Sequence, residues 1–389
     1  MQHIIKTTYH LDDITKVINS SNPGDEIIIT KGTYYSYPWT LFHDLTITIN
    51  EDANIYFSTN QDDYLDKTFI RFEGVECYAY HPLIYAYNQD NITIQGKGKI
   101  YGNGYVWWKN KKLQQKACDR LCYAQANNIK LEDRVTDLKN SYLRPDFIHI
   151  INCNNLILKD FTIQDSPMWM IHPVYCNNVR ISNINLISDG PNTDGIDPDS
   201  CNNVIIENCI FNTGDDGIAI DSGLNEDGFR INKPCTNVEI RNCVFNKGHA
   251  SIAIGSMVSG GVSNINIHDI LINHSERGIR VKSLPGRGGY VKNVKVKNIV
   301  MNNIDKEAID ITMAYPSSTS IPLSNTPSKF SDFYFENVTI NKADTGISII
   351  GLESSFVENV QFKNAIINQT NTPTYSKYFN GDINIKNKE

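Results

Sequence analysis

CNNLILKDFTI (Cys153–Ile163), CNNVRISNINL (Cys176–Leu186), CNNVIIENCIF (Cys201–Phe211) and CTNVEIRNCVF (Cys235–Phe245) are four versions of one phrase. Each opens on a polar corner, passes an anchor asparagine and then alternates apolar with polar residues. The anchors Asn155, Asn178, Asn203 and Asn237 are followed by Asn264, Asn293 and Asn359, with Asp332 taking the place once, at spacings of 23 to 39 residues. A period of that size is the signature of stacked repeats. Each unit holds two or three runs of four to six residues rich in Ile, Val, Phe and Thr, punctuated by Gly, Asn and Asp, which are strand and corner signals. Helical periodicity is almost absent. Short strands recurring in one direction without helical crossovers predict an all-β, single-stranded, right-handed parallel β-helix. In such a solenoid equivalent residues stack at about 4.7–4.9 Å. The anchor asparagines then form an amide ladder along one corner.

The cysteines keep the same phase. Cys153, Cys176, Cys201 and Cys235 sit two residues before an anchor, and Cys209 and Cys243 six after one. They read as small hydrophobes stacked in a narrow core, and no CxxC pair argues for zinc. Residues 1–140 repeat less clearly. Leu11–Ser20 (LDDITKVINS) predicts a short N-terminal helix covering the open end of the solenoid, and Asn91 opens one early coil. Residues 102–144, with Trp107, Trp108, Cys118 and Cys122, read as a long excursion, and residues 145–370 as the regular coils. The whole chain, 1–389, is expected to be one domain.

The chain carries 36 Lys+Arg against 43 Asp+Glu, a net charge of −7. That balance argues against nucleic acid or an anionic membrane as partner. No stretch approaches the ~20 apolar residues that span a bilayer. Met1 to Asp12 lacks a charged segment followed by an apolar run, and nine cysteines is an odd number better read as reduced thiols. The expected compartment is the cytoplasm, with secretion the alternative had a leader been removed.

Ionisable residues share one band of offsets behind the anchors. Asp194 lies 16 after Asn178, Asp215 and Asp216 lie 12 and 13 after Asn203, and His249 lies 12 after Asn237. Arg280 and Lys282 lie 16 and 18 after Asn264. In a stacked coil this band is one stripe on one face, and the cost of burying three carboxylates places it against solvent or a cleft. Neighbouring carboxylates push their pKa values apart, which equips one as general acid and the others to orient water. Arg280 and Lys282, two apart on a strand, face the same way and suit a carboxylate-bearing sugar. Acidic oligosaccharide is therefore the expected partner; the oligomeric state is left open.

Asn192-Thr193-Asp194, Gly214-Asp215-Asp216, Gly248-His249 and Arg280-Val281-Lys282 resemble the four ordered signatures of glycoside hydrolase family 28, the polygalacturonases. Arg144-Pro145, SPMWMIHPVYCNNV (Ser166–Val179), NTDGIDPDSCNNV (Asn192–Val204) and Gly255-Ser256 resemble their flanks. The resemblance implies inverting hydrolysis of α-1,4-galacturonosyl links without metal or other cofactor. It implies Asp215 as general acid, Asp194 and Asp216 as the water-activating pair and His249 as tuner of the acid. Arg280 and Lys282 then bind the substrate carboxylate, with Tyr315 beside them. Three positions depart from the family pattern: Ala250 follows Gly248-His249 in place of glycine, Asp221 replaces a common lysine, and Met257 stands where an acidic residue is frequent. Ala250 is expected to shift the His249 loop or narrow the site, and Asp221 to remove a positive charge near the substrate. A rhamnogalacturonan-type hydrolase therefore remains an alternative, as do a Ca²⁺-dependent pectate lyase and a non-catalytic glycan-binding β-helix. Residues 102–144 are expected to wall off one end of the cleft, as in exo-acting enzymes.

Overall fold

The computed structural model describes residues 1–6, 10–316 and 326–387. The chain winds as a right-handed parallel β-helix in which 26 strands form one hydrogen-bonded network, joined by a four-stranded parallel strip and one antiparallel hairpin, Thr68–Phe72 with Val75–Ala79. Successive coils repeat the same inward positions. Ile27, Ile47, Ile94, Leu158, Ile181, Ile206, Ile240, Ile267, Val296, Phe335 and Phe362 are paired rung to rung and all are buried. Alternation along each strand is what points these residues into the core while their neighbours stay outside. Phe211 and Phe245 stack with ring centroids 4.5 Å apart, the distance the coil rise imposes.

The anchor corner explains the asparagines. Asn155, Asn178 and Asn203 all sit at left-handed φ, 58 to 59°. A short amide side chain tolerates that conformation better than a branched or apolar one. Each amide also donates to the coil below: Asn155 to Asn91 at 2.8 Å, Asn178 to Asn155 at 3.1 Å and Asn203 to Asn178 at 2.6 Å. The ladder reaches further back than the sequence period shows, because Asn91 donates in turn to Asp44. Insertions of unequal length hide those early coils. At Asn237 the ladder steps sideways onto Asn202 before resuming through Asn264 and Asn293. The cysteine column is buried, and the Cys176, Cys201 and Cys235 thiols donate to Ile150, Pro173 and Pro198 carbonyls of the preceding coil.

Helix α1 (Asp13–Ser20) buries Ile14 and Ile18 and packs on the first strands of two other faces, Gly32–Ser36 and Trp39–Thr40. Gln2–Ile5 adds a further strand beside Glu26–Ile29. Two helices have no clear sequence signal. Helix α2 (Gln115–Ala126) lies inside the expected excursion, and α3 (Asn225–Ile231) interrupts the regular coils. Both are short and pack on each other and on the hairpin strand Val75–Ala79, so tertiary contact rather than amphipathic period fixes them.

Replacing Asn178 by Ala places a methyl at left-handed φ and breaks the ladder on both sides. The expected loss is about 1–2 kcal/mol, read as a lowered midpoint of denaturant unfolding, with Asn178→Gly losing less.

Candidate active site

The cleft face is built from the third strand of each coil and the corner before it. Ile196, Ile218, Ile252, Ile279 and Ile309 occupy one inward column. Asp194 and Asp216 both lie two residues before their member of that column, so stacking sets them on adjacent rungs. A Cβ on Gly214 would come 2.2 Å from the Gly190 carbonyl, so the corner carrying Asp215 and Asp216 admits only glycine there. The expected residues converge: Asp194, Asp215, Asp216, His249, Lys282 and Tyr315 all line one cavity of about 570 Å³. Arg280 lies just behind that lining, with its guanidinium 5.0 Å from the centre of the Tyr315 ring.

The three carboxylates differ sharply in environment. Asp216 Oδ1 accepts from the Ala250 N–H at 2.8 Å and faces His249 Nδ1 at 3.1 Å, while Oδ2 accepts from Lys282 Nζ at 2.7 Å. Burial alone would raise its pKa, but Lys282 and His249 outweigh burial and hold it well below the usual carboxylate range. Asp215 has Asn192 Nδ2 at 3.4 Å and His249 Nδ1 at 3.7 Å; burial and the adjacent Asp216 charge raise its pKa. Asp194 is raised well above the ordinary range by burial, then by Asp215 and Asp216. Its Oδ1 is buried without a hydrogen-bond partner among the described residues, a place for a water or a substrate hydroxyl. On its other edge His249 Nε2 meets Arg277 Nη1 at 3.2 Å and Glu276 at 3.4 Å. Arg277 donating there leaves Nδ1–H to point at the carboxylates.

The cations expected to meet substrate are partly committed. Lys282 is held by Asp216, and Arg280 donates through Nε to Asp310 at 2.9 Å. Asp310 was not singled out from sequence, although it lies 17 after Asn293, beside the same band of offsets. Ala250 corrects part of an expectation: it is fully buried in a cluster with Ala219 and Ala253 and does not line the cavity, so it does not narrow the site. Asp221 and Met257 do line it, and the Met257 N–H donates to Asp221 Oδ1 at 3.0 Å. Arg287 joins them on the wall. So does Glu73 from the hairpin, for which no sequence pattern existed.

Insertions supply the roof. Gln114, Cys118, Leu121 and Gln125 come from residues 102–144, Phe72 and Val75 from the hairpin, and Leu224 and Asn225 from the α3 segment. Asp227 on α3 ties them together, accepting from Arg134 Nη1 at 2.7 Å and from the Glu76 N–H at 3.0 Å. Arg71 of the hairpin donates to Asp199 of the floor at 2.9 Å.

Among the described residues two groups hold metal-type donors within reach of one another: Asp215, Asp216 and His249, and the buried Asp146, His149 and His172. In the second, Asp146 Oδ2 faces both Nδ1 atoms, at 2.7 and 2.8 Å, and His149 Nε2 accepts from the Arg71 N–H. Burial pushes His149 down to about 4, so it is a neutral Nδ1–H donor. Its nitrogens are thus already used in hydrogen bonds. In the first group the Lys282 ammonium is the cation that meets the carboxylate.

The family model described as "Glycosyl hydrolases family 28" matches residues 46–384. The chain is similar to a probable polygalacturonase of Vitis vinifera, 30% identical over 292 residues that cover 73% of this chain and 55% of that protein. It is similar to an exo-poly-alpha-D-galacturonosidase of Dickeya chrysanthemi, 26% identical over 388 residues covering 92% and 64%. The chain thus spans between about half and two thirds of the length of these relatives. Among solved structures, a hyperthermoactive exopolygalacturonase from Thermotoga maritima matches with TM-score 0.86 at 29% identity, covering 95% of this chain and 86% of that one. The Yersinia enterocolitica family 28 exopolygalacturonase matches with TM-score 0.81 at 25% identity, covering 100% and 75%.

Burial and Asp199 push Asp221 up to about 7. Between the unfolded carboxylate value near 4 and that folded value the native state binds the extra proton, so this group's contribution to stability falls as pH rises. Asp221→Asn removes that decline. Thermal midpoints should diverge from wild type as pH rises from 4 to 7, the variant gaining on the order of 1–4 kcal/mol by pH 8.

Proposed function

The chain belongs to glycosyl hydrolases family 28, and we propose that it hydrolyses α-1,4-galacturonosyl linkages of pectin-derived oligogalacturonides, from one chain end, with inversion. The observation that carries this reading is the divergence of neighbouring carboxyls: Asp215 is raised while Asp216 is held ionised by Lys282 and His249. Asp215 keeps its proton above the ordinary carboxylate range and gives it to the glycosidic oxygen as that bond breaks. Asp216 and the open oxygen of Asp194 orient a water, which attacks the anomeric carbon from the opposite face and yields its proton to the ionised Asp216. His249 sits between Asp215 and Asp216 and biases where their proton resides. Lys282 and Arg280, with the Tyr315 ring, present positive charge and an aromatic face to a sugar carboxylate.

End-directed action is supported by the roof from residues 102–144, the hairpin and the α3 segment, and by the exo-acting names of similar proteins. Nine unpaired cysteines favour a reducing, cytoplasmic setting in which the enzyme trims imported oligosaccharides.

Incubation with galacturonate oligomers of graded length tests the reading. Small products of one size from the outset, new reducing ends and indifference to chelator are expected. An unsaturated, ultraviolet-absorbing product that disappears with chelator would establish lysis instead. Asp215→Asn should lower kcat by about 10²–10⁴-fold while binding persists. The alkaline limb of kcat/KM should lie above the ordinary carboxylate range near 4, activity falling as Asp215 loses its proton.

A further inference from the structure

Arg287 stands on the cavity wall in a way that its neighbours do not. Its backbone is fixed, the N–H donating to Leu284 at 3.1 Å and the carbonyl accepting from Ser259 Oγ at 2.8 Å. The residue is 6% exposed, yet Nε and Nη1 are buried without a hydrogen-bond partner among the described residues, and no carboxylate lies within ion-pair distance. Every other buried arginine near the site is committed: Arg71 to Asp199, Arg134 to Asp227, Arg144 to Pro191 and Asn192, and Arg280 to Asp310. A buried cation left uncompensated is costly, and one facing a cavity is compensated when an anionic ligand enters. Burial lowers its pKa only to about 10, so it is charged at neutral pH. Asp221, the nearest carboxyl acting on it, is partly protonated near neutrality and engaged by the Met257 N–H.

We infer that Arg287 is a specificity residue that binds a second uronate carboxylate of the bound chain, on a sugar other than the one met by Arg280 and Lys282. The inference rests on the galacturonide reading above and extends it. A planar guanidinium offers several N–H donors to a carboxylate, and a neutral or esterified sugar leaves that cation unpaired. It also accounts for Asp221 standing where a lysine is common: positive charge reaches the cavity from the wall instead of from the floor.

The test compares trigalacturonate with its methyl ester on wild type, Arg287→Gln and Arg287→Lys. For trigalacturonate Arg287→Gln should raise KM at least tenfold with a much smaller change in kcat, and lose part of the preference for free acid over ester, the part owed to Arg280 and Lys282 remaining. Arg287→Lys should recover part of both. Calorimetric titration of trigalacturonate into the Asp215→Asn protein, with and without Arg287→Gln, should show the same weakening without turnover. Wild-type turnover with an unchanged KM and acid preference in Arg287→Gln overturns the inference alone. So does an equal rise in KM for acid and ester. Failure of the wild type to cleave any galacturonide overturns the function and this inference together.

Discussion

The rise of one strand spacing per coil is the constraint on which the rest of this molecule depends. Parallel hydrogen bonding between turns fixes it at about 4.8 Å, and everything on the surface inherits that step. It stacks the phenylalanine rings at Phe211 and Phe245, lets each anchor amide reach the one below, and brings acidic corners of adjacent coils within a few ångströms. Charge repulsion among Asp194, Asp215 and Asp216 is thus a by-product of backbone geometry. The fold tolerates it because cations rise on the same face two coils later, at Arg280 and Lys282.

That arrangement separates three chemically identical side chains by environment. Asp216 has charged or strong donors on both oxygens and stays ionised; Asp215 has one backbone donor, the Asp216 N–H, and a charged neighbour; Asp194 is buried with an oxygen left open. No part of this requires a mobile element, since each carboxylate is held by a rung of the solenoid.

Period and phase carried most of the fold from sequence, because a solenoid writes its geometry as repetition. The anchors from Asn155 to Asn359 and the stripe from Asp194 to Lys282 were legible for that reason alone. What breaks the period was not. Asn91 was legible as an early coil, but Asp44 below it in the same ladder was not, because long insertions separate it from the regular coils. Helices α2 and α3, the Glu73 hairpin and Arg287 are placed by contacts between distant segments, which leave no local pattern. Ala250 shows the converse: a departure conspicuous in sequence is buried in an alanine cluster and contributes nothing to the cavity lining.

The hub at Asp227 separates the history of the coil from that of the roof. A solenoid grows by contacts between successive turns, so its floor assembles from near neighbours in the chain. The roof closes only when Arg134 and Glu76, 93 and 151 residues away, both reach Asp227, and when Arg71 reaches Asp199 across 128 residues. Such distant closures carry a larger loop-closure cost than contacts between successive turns. The chamber therefore rests on contacts of high sequence separation, whereas the coil beneath it is built from contacts between near neighbours.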